Sequence, residues 1–182
     1  PEQWSPWWQE RLQRGVQLAQ SGVTGESWLE RVQQVVVGLP RAADRPLTEL
    51  ARGVDPAWQA ALRQLRTREQ MRFISRDLQR LCTLPELTRE LSEFADAVLE
   101  VALAQAHADI VLLHGEPIGE DSGKPQQMII IGMGKLGAHE LNLSSDIDLM
   151  FTYAEDGETD GRRAISNQEF FVKVGQRIIQ LL

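Results

Sequence analysis

The sequence holds a single cysteine, Cys82, in 182 residues. One thiol excludes an internal disulfide framework and a cysteine-based zinc site, and it fits a reducing compartment. Histidine is scarce too: His107, His114 and His139 follow no metal-ligand spacing. No apolar run reads as long enough to span a membrane, and the polar, Trp-rich start PEQWSPWWQE is not a secretory signal. Positive charge is in deficit, with 19 Lys and Arg against 26 Asp and Glu for a net charge of -7. That balance argues against a non-specific nucleic-acid surface and leaves room only for a local basic patch. The absences predict a soluble, globular, cytoplasmic protein with neither nucleic acid nor a membrane as partner. The start at Pro1 and the end in GQRIIQLL, a helical pattern with no glycine or proline to close it, predict a piece of a longer chain.

What is present falls into two grammars. Over residues 1–114 the apolar spacing is helical. Leu62, Leu65, Phe73, Ile74, Leu78 and Leu81 recur at helical intervals behind Asp55 as N-cap and Pro56 at the first helical position. A second helix begins at TLPE, where Thr83 and Glu86 form a capping box, and runs through Leu87, Leu91, Phe94, Val98 and Val101. The two are expected to pack as an antiparallel hairpin. Segments 4–20 and 27–37 also read as helices, with GLPRAADRP as a loop. Residues 115–126, Gly/Pro-rich and acidic, predict a linker or surface loop. Over 127–182, QMIIIG reads as a buried strand, and DIDLMFTY alternates, with Asp146, Asp148 and Met150 on one face. Phe170, Val174, Ile178 and Leu181 form a helical stripe behind Ser166 as N-cap. The fold class is α+β, an all-α bundle followed by the start of an α/β domain.

Between the two strands lies GMGKLGAHELNLSSDID, residues 132–148. Gly132, Gly134 and Gly137 match the dinucleotide fingerprint, but only AHELNLSS separates the third glycine from Asp146, too little for a crossover helix. The P-loop pattern fails because Leu136 follows Lys135 where Ser or Thr would ligate Mg²⁺. The aspartates ask for other chemistry. Two carboxylates at i and i+2 on one strand face share a side and repel unless a cation lies between them. Hard oxygen ligands of this kind suit Mg²⁺ held together with substrate phosphates. Two such ions would clamp the attacking and leaving oxygens of a phosphoryl displacement. The glycine turn then lets backbone N–H groups approach phosphate, with Lys135 adding a positive charge. The alternative is that the aspartates are solvated residues on a sheet edge and that the glycines serve only a tight turn.

At these residues the sequence resembles the nucleotidyltransferase-fold signature and, more closely, the glutamine synthetase adenylyltransferase family. The match G-x-G-K-L-G-x-x-E-L-N-x-S-S-D-I-D-L carries it, and the resemblance covers about residues 60–182. It implies a long bifunctional enzyme with two similar catalytic units, the first removing AMP from a tyrosine of glutamine synthetase and the second adding it. Met133, Asn142 and FFVKVGQR fit the removing unit, and Ala138 and His139 stand where relatives often carry glycine. The implied reaction is attack of inorganic phosphate on the AMP-tyrosine phosphodiester, releasing ADP. By resemblance Asp146 and Asp148 are catalytic and hold Mg²⁺, with two ions in the complete enzyme. Gly132, Gly134, Lys135, Gly137, Ser144 and Ser145 line the nucleotide and phosphate site. A third carboxylate is expected beyond the segment, so the segment alone is expected to be inactive or nearly so. The implied partners are glutamine synthetase and a PII-type regulatory protein, with ATP or ADP as substrate or product. The ATP-dependent adding unit and a non-catalytic helical interaction module remain as alternatives.

Three further features have two readings each. Arg68, Arg72, Arg76 and Arg80 recur every four residues, either facing phosphate or an acidic partner, or solvated and paired with acids such as Glu69 and Asp77; the second is favoured. AEDGETDGRR imitates part of an EF-hand loop, but Asn167 at its twelfth position cannot supply the bidentate carboxylate, so a mobile acidic loop is expected. Trp4, Trp7 and Trp8 are read as anchoring a helix rather than forming an interaction patch.

Overall fold

The computed structural model describes residues 27–182. The helix read at 4–20 and the tryptophans within it lie outside the described residues. Helix α1 spans Trp28–Val36 behind a capping box in which Glu30 N donates to Ser27 Oγ and Ser27 N donates to Glu30 Oε2. A 3-10 turn at Ala42–Asp44 interrupts the segment 38–46 read as a loop, and a short helix α2, Leu47–Arg52, follows it. Helix α3, Pro56–Leu78, starts where Asp55 Oδ1 accepts the Ala57 amide at 2.7 Å. Helix α4, Leu84–His114, starts at the Thr83–Glu86 capping box. Phe73 and Phe94 pack with their ring centroids 6.1 Å apart, and Arg76 and Glu90 pair, so α3 and α4 run antiparallel as the spacing predicts.

The inward stripe of α3 differs from the apolar reading. Leu62, Leu65, Glu69 and Arg72 are buried at intervals of three and four, whereas Leu78 and Leu81 lie exposed. Charged residues occupy core positions here because they neutralise one another. Glu69 accepts from Arg31, Arg68 and Arg72, and Glu90 accepts from Arg72 and Arg76. Arg68, Arg72 and Arg76 of the stripe are therefore paired, as favoured, while Arg80 makes no ion pair among the described residues, and Arg72 is buried rather than solvated. Its guanidinium also lies 4.6 Å from the Phe73 ring centroid and 5.1 Å from that of Trp28.

By length and composition alone α4 is apolar enough to cross a membrane, contrary to the sequence reading. Its apolar side is taken up by protein: Ala102, Ala106 and Ile110 are buried in the core shared with α1, α3 and the last helix.

Beyond α4 come two antiparallel ribbons. Strand β1, Pro117–Gly119, pairs with β4, Gly157–Thr159, where the sequence shows only loops. The acidic residues of those loops serve as acceptors: Glu155 takes the Ser122 amide, Asp160 takes the Glu116 amide and Asp156 takes the Tyr153 hydroxyl. Strand β2, Ile129–Gly132, pairs with β3, Leu149–Thr152, with Ile131 opposite Met150. Antiparallel pairing rules out the parallel crossover of a dinucleotide fold. The apolar run of β2 is not fully buried as read. Ile129 is 50% and Ile131 41% exposed, with Met150 beside them at 50%, because helices cover only one face of this ribbon. Between β2 and β3 lies the single-turn helix α5, Gly134–Gly137.

Helix α6, Asn167–Leu181, is capped by Ser166, whose Oγ accepts the Glu169 amide at 3.2 Å. Phe170, Val174, Ile178 and Leu181 are almost fully buried, in the stripe the spacing predicts. Beneath them Arg177 bonds Asp109 Oδ2 at 2.9 Å and the Leu50 carbonyl, and Arg45 reaches the same carboxylate at 3.3 Å. Burial pushes the Asp109 carboxyl above its ordinary range, against the pull of these two arginines.

Candidate functional site

The site begins where β2 runs out. Gly132 hands the chain to Met133, whose amide donates to the Asp148 carbonyl at 2.9 Å and so extends the β2–β3 ladder to the first carboxylate-bearing residues. Gly134 then takes φ of 55°, in the left-handed region where a side chain is strained, and a Cβ placed there would lie 3.9 Å from Asp148 Oδ2. Gly137 is needed for another reason: a Cβ on it would sit 2.4 Å from the Gly132 carbonyl oxygen. The two glycines let the turn fold back onto its own strand directly beside Asp148.

The loop after the turn is organised by Asn142. Its Oδ1 accepts from the Ser144 amide and hydroxyl, each at 3.1 Å, and from Ser145 Oγ at 2.7 Å. Lys135 Nζ in turn donates to Ser145 Oγ at 3.2 Å. The glycine turn and the serine loop, ten residues apart in sequence, are thus closed into one unit with Asp146 and Asp148 next in line. Both aspartates are exposed and lie immediately ahead of β3 rather than within it. Among the described residues no third His, Cys, Asp or Glu side chain joins them in a group that could hold a metal.

Of the residues read as a site, Lys135 and Ser145 are bonded and Gly134 and Asp148 lie side by side to form one rim, with Gly132, Gly137, Ser144 and Asp146 adjoining them in the chain. The sequence reading missed what holds the rim in place. Ser92 of α4, fully buried, donates its hydroxyl to the Thr88 carbonyl at 2.8 Å and accepts the Leu141 amide at 3.2 Å. A serine within the apolar stripe of α4 was the available signal. Between α3, α4 and segment 141–147 a cavity of about 300 Å³, walled by Phe73, Phe94, Leu141 and Ile147, opens beside Ser145 and Asp146.

His139 does not join the rim by any bond of its ring. It is exposed with φ of 56°, and its amide donates to the Leu136 carbonyl at 3.0 Å. A left-handed residue at this point favours glycine, which accounts for the glycine expected there from the resemblance.

A family model described as glutamate-ammonia ligase adenylyltransferase matches residues 5–182. The chain belongs to this family. Proteins named bifunctional glutamine synthetase adenylyltransferase/adenylyl-removing enzyme are similar to it. That of Chromobacterium violaceum is 52% identical over 140 residues, covering 77% of this chain and 15% of its own. That of Pseudomonas aeruginosa is 53% identical over 122 residues, covering 66% and 12%. That of Thioalkalivibrio sulfidiphilus is 42% identical over 159 residues, covering 85% and 16%. The chain thus spans only 12% to 16% of the length of these curated relatives.

Proposed function

We propose that this segment supplies the phosphate- and metal-binding rim of the unit that removes AMP from adenylylated glutamine synthetase by phosphorolysis. The observation that carries the reading is the closure of the glycine turn onto the serine loop through Lys135 and Ser145, with Asp148 beside Gly134 and Asp146 next to Ser145 in the chain. Two exposed carboxylates with hard oxygen donors and open space around them fit Mg²⁺, which one or two carboxylates together with phosphate oxygens commonly hold. When bound there, the metal supplies charge neutralisation for the phosphoryl oxygens.

The chain's own groups do the rest. The exposed backbone at Gly134 lets a phosphate approach without a side chain in the way, and Lys135 adds a positive charge at that place. Asn142 holds Ser145, and Ser145 holds Lys135, so the ammonium is positioned rather than free to wander. An incoming phosphate oxygen forms a bond to the phosphorus of the AMP-tyrosine diester. The bond from phosphorus to the tyrosyl oxygen breaks, the phenol recovers a proton, and ADP is the second product. Met133, Asn142 and FFVKVGQR support the removing rather than the adding direction.

In this reading the intact protein acts in the cytoplasm on glutamine synthetase under a PII-type regulator, with neither nucleic acid nor a membrane as partner. The test supplies the intact polypeptide carrying this segment with AMP-modified glutamine synthetase, phosphate and Mg²⁺. Asp146→Asn or Asp148→Asn is expected to lower ADP release at least a hundredfold, and unchanged release overturns the assignment. If those substitutions instead abolish ATP-dependent labelling of unmodified glutamine synthetase and spare ADP release, the segment is the adding unit.

A further inference from the structure

On a chain of net charge -7 the cations converge at one other place. A cavity of about 370 Å³ lies between the C-terminal ends of α2 and α4 and one side of α6. Its walls carry Arg52, His114, Arg163, Lys173 and Arg177, and no carboxylate. It shares no residue with the glycine turn or the aspartates.

Some of this charge is already balanced. Lys173 Nζ lies 3.2 Å from Glu169 Oε1, and Arg177 is bonded to Asp109 behind the wall. Arg45, which shares Asp109, has Asp55 Oδ2 at 3.5 Å. Those three cations thus face three carboxylates. Arg52 and Arg163 have no ion-pair partner among the described residues. The carbonyl ends of α2 and α4 offset a part of their charge, about half a unit each at most. That pole accounts for Arg52 and His114 as residues of a last helical turn; it does not account for Arg163, which comes from the loop after β4. His114 Nδ1 donates to the Arg163 carbonyl at 3.0 Å, which fixes the backbone of that loop against the cavity and leaves Nε2 as the free ring nitrogen.

We propose that this cavity binds a small dianion, a dicarboxylate or a phosphate ester, gripped by the guanidinium groups of Arg52 and Arg163. Its volume is in the range of small-molecule sites, roughly 300 to 1,000 Å³. Two planar guanidinium forks suit bidentate contact with carboxylate or phosphate oxygens. The amides of Gln176 and Gln180 on the same wall add neutral donors for the remaining oxygens.

The test is calorimetric titration of the protein with inorganic phosphate and, separately, with succinate, at constant ionic strength set by chloride. A saturable event is expected with at least one of them, weakened tenfold or more in Arg52→Gln/Arg163→Gln and retained in Lys135→Gln. Phosphate alone binding assigns the site to phosphate-bearing ligands, and succinate binding assigns it to dicarboxylates. Arg163→Gln alone, at an exposed loop position, is expected to weaken the event several-fold without disturbing the core. The proposal is overturned if neither anion binds, if the double variant binds as tightly as the parent, or if Lys135→Gln is the change that removes the event. The last outcome would move the anion to the glycine turn. Loss of phosphorolysis in the aspartate variants bears on that turn and leaves this cavity untouched.

Discussion

Single atoms decide the shape of the glycine turn. At Gly137 a methyl group would meet the Gly132 carbonyl at 2.4 Å, and the backbone on both sides must shift to admit it. Gly137→Ala is therefore expected to cost about 1 to 3 kcal/mol in urea unfolding. His139 presents the opposite case, since a side chain already occupies a left-handed position. His139→Gly is expected to be neutral or to stabilise by up to about 1 kcal/mol, measured the same way. At Glu69 the balance is electrostatic. Replacing it by Ala would leave the buried Arg72 with only the half-buried Glu90, and breaking a buried pair costs about 3 to 5 kcal/mol. Equal stability of Glu69→Ala and the parent would show that the network is not what holds α1 to α3.

Between elements, the α3–α4 hairpin depends on ion pairs that respond to pH. Burial raises the Glu90 pKa, but the bonds from Arg76 and Arg72 outweigh it and hold the carboxyl below the ordinary glutamate range. A depressed carboxylate pKa means that the folded state binds fewer protons than the unfolded one. Its contribution is therefore present above the unfolded value, about 4.3, and is lost as pH falls through the folded value. The stability difference between the parent and Glu90→Gln should accordingly be largest near neutral pH and shrink in acid, as read from urea midpoints at a series of pH values. A difference that grew in acid would contradict the pairing. The helix starts are a separate matter of local backbone: Thr83→Ala should cost about 1 kcal/mol through loss of the cap.

Across the whole molecule, one core joins the helical half to the strands. Phe170 is fully buried, edge-on to both Phe171 and His107, and Tyr153 stacks on Phe171 at 4.7 Å. The same helix carries Asn167, whose amide donates to the carbonyls of Ile118 and Glu155 and so ties the β1–β4 ribbon down. Phe170→Ala is expected to cost about 3 to 5 kcal/mol and to loosen that ribbon along with α4, visible as faster amide exchange in both. Confinement of the exchange to α6 would show that the ribbon is held independently.

Local rules were enough to write down the start of every long helix. Asp55, Thr83 and Ser166 cap through bonds to amides two or three residues away, so their effect needs no distant partner. The stripe of α6 and the glycine–aspartate spacing were legible for the same reason, and the spacing already excluded a dinucleotide crossover. The inward phase of α3 was not legible, because Glu69 and Arg72 are tolerable in a core only when Arg31 and Glu90 arrive from other helices. Nor were β1 and β4, three residues each, which have no hydrophobic period and exist only as each other's partners. The open face of β2 follows from what covers the ribbon, a matter of tertiary packing that a run of three isoleucines does not reveal. The sequence by itself determined where helices begin and how closely the glycines are spaced to Asp146 and Asp148, since both rest on neighbours within a few positions. Only the tertiary structure decided that Lys135 meets Ser145, that Ser92 anchors the loop and that Arg52 and Arg163 share a cavity, since each needs groups the chain brings together from a distance.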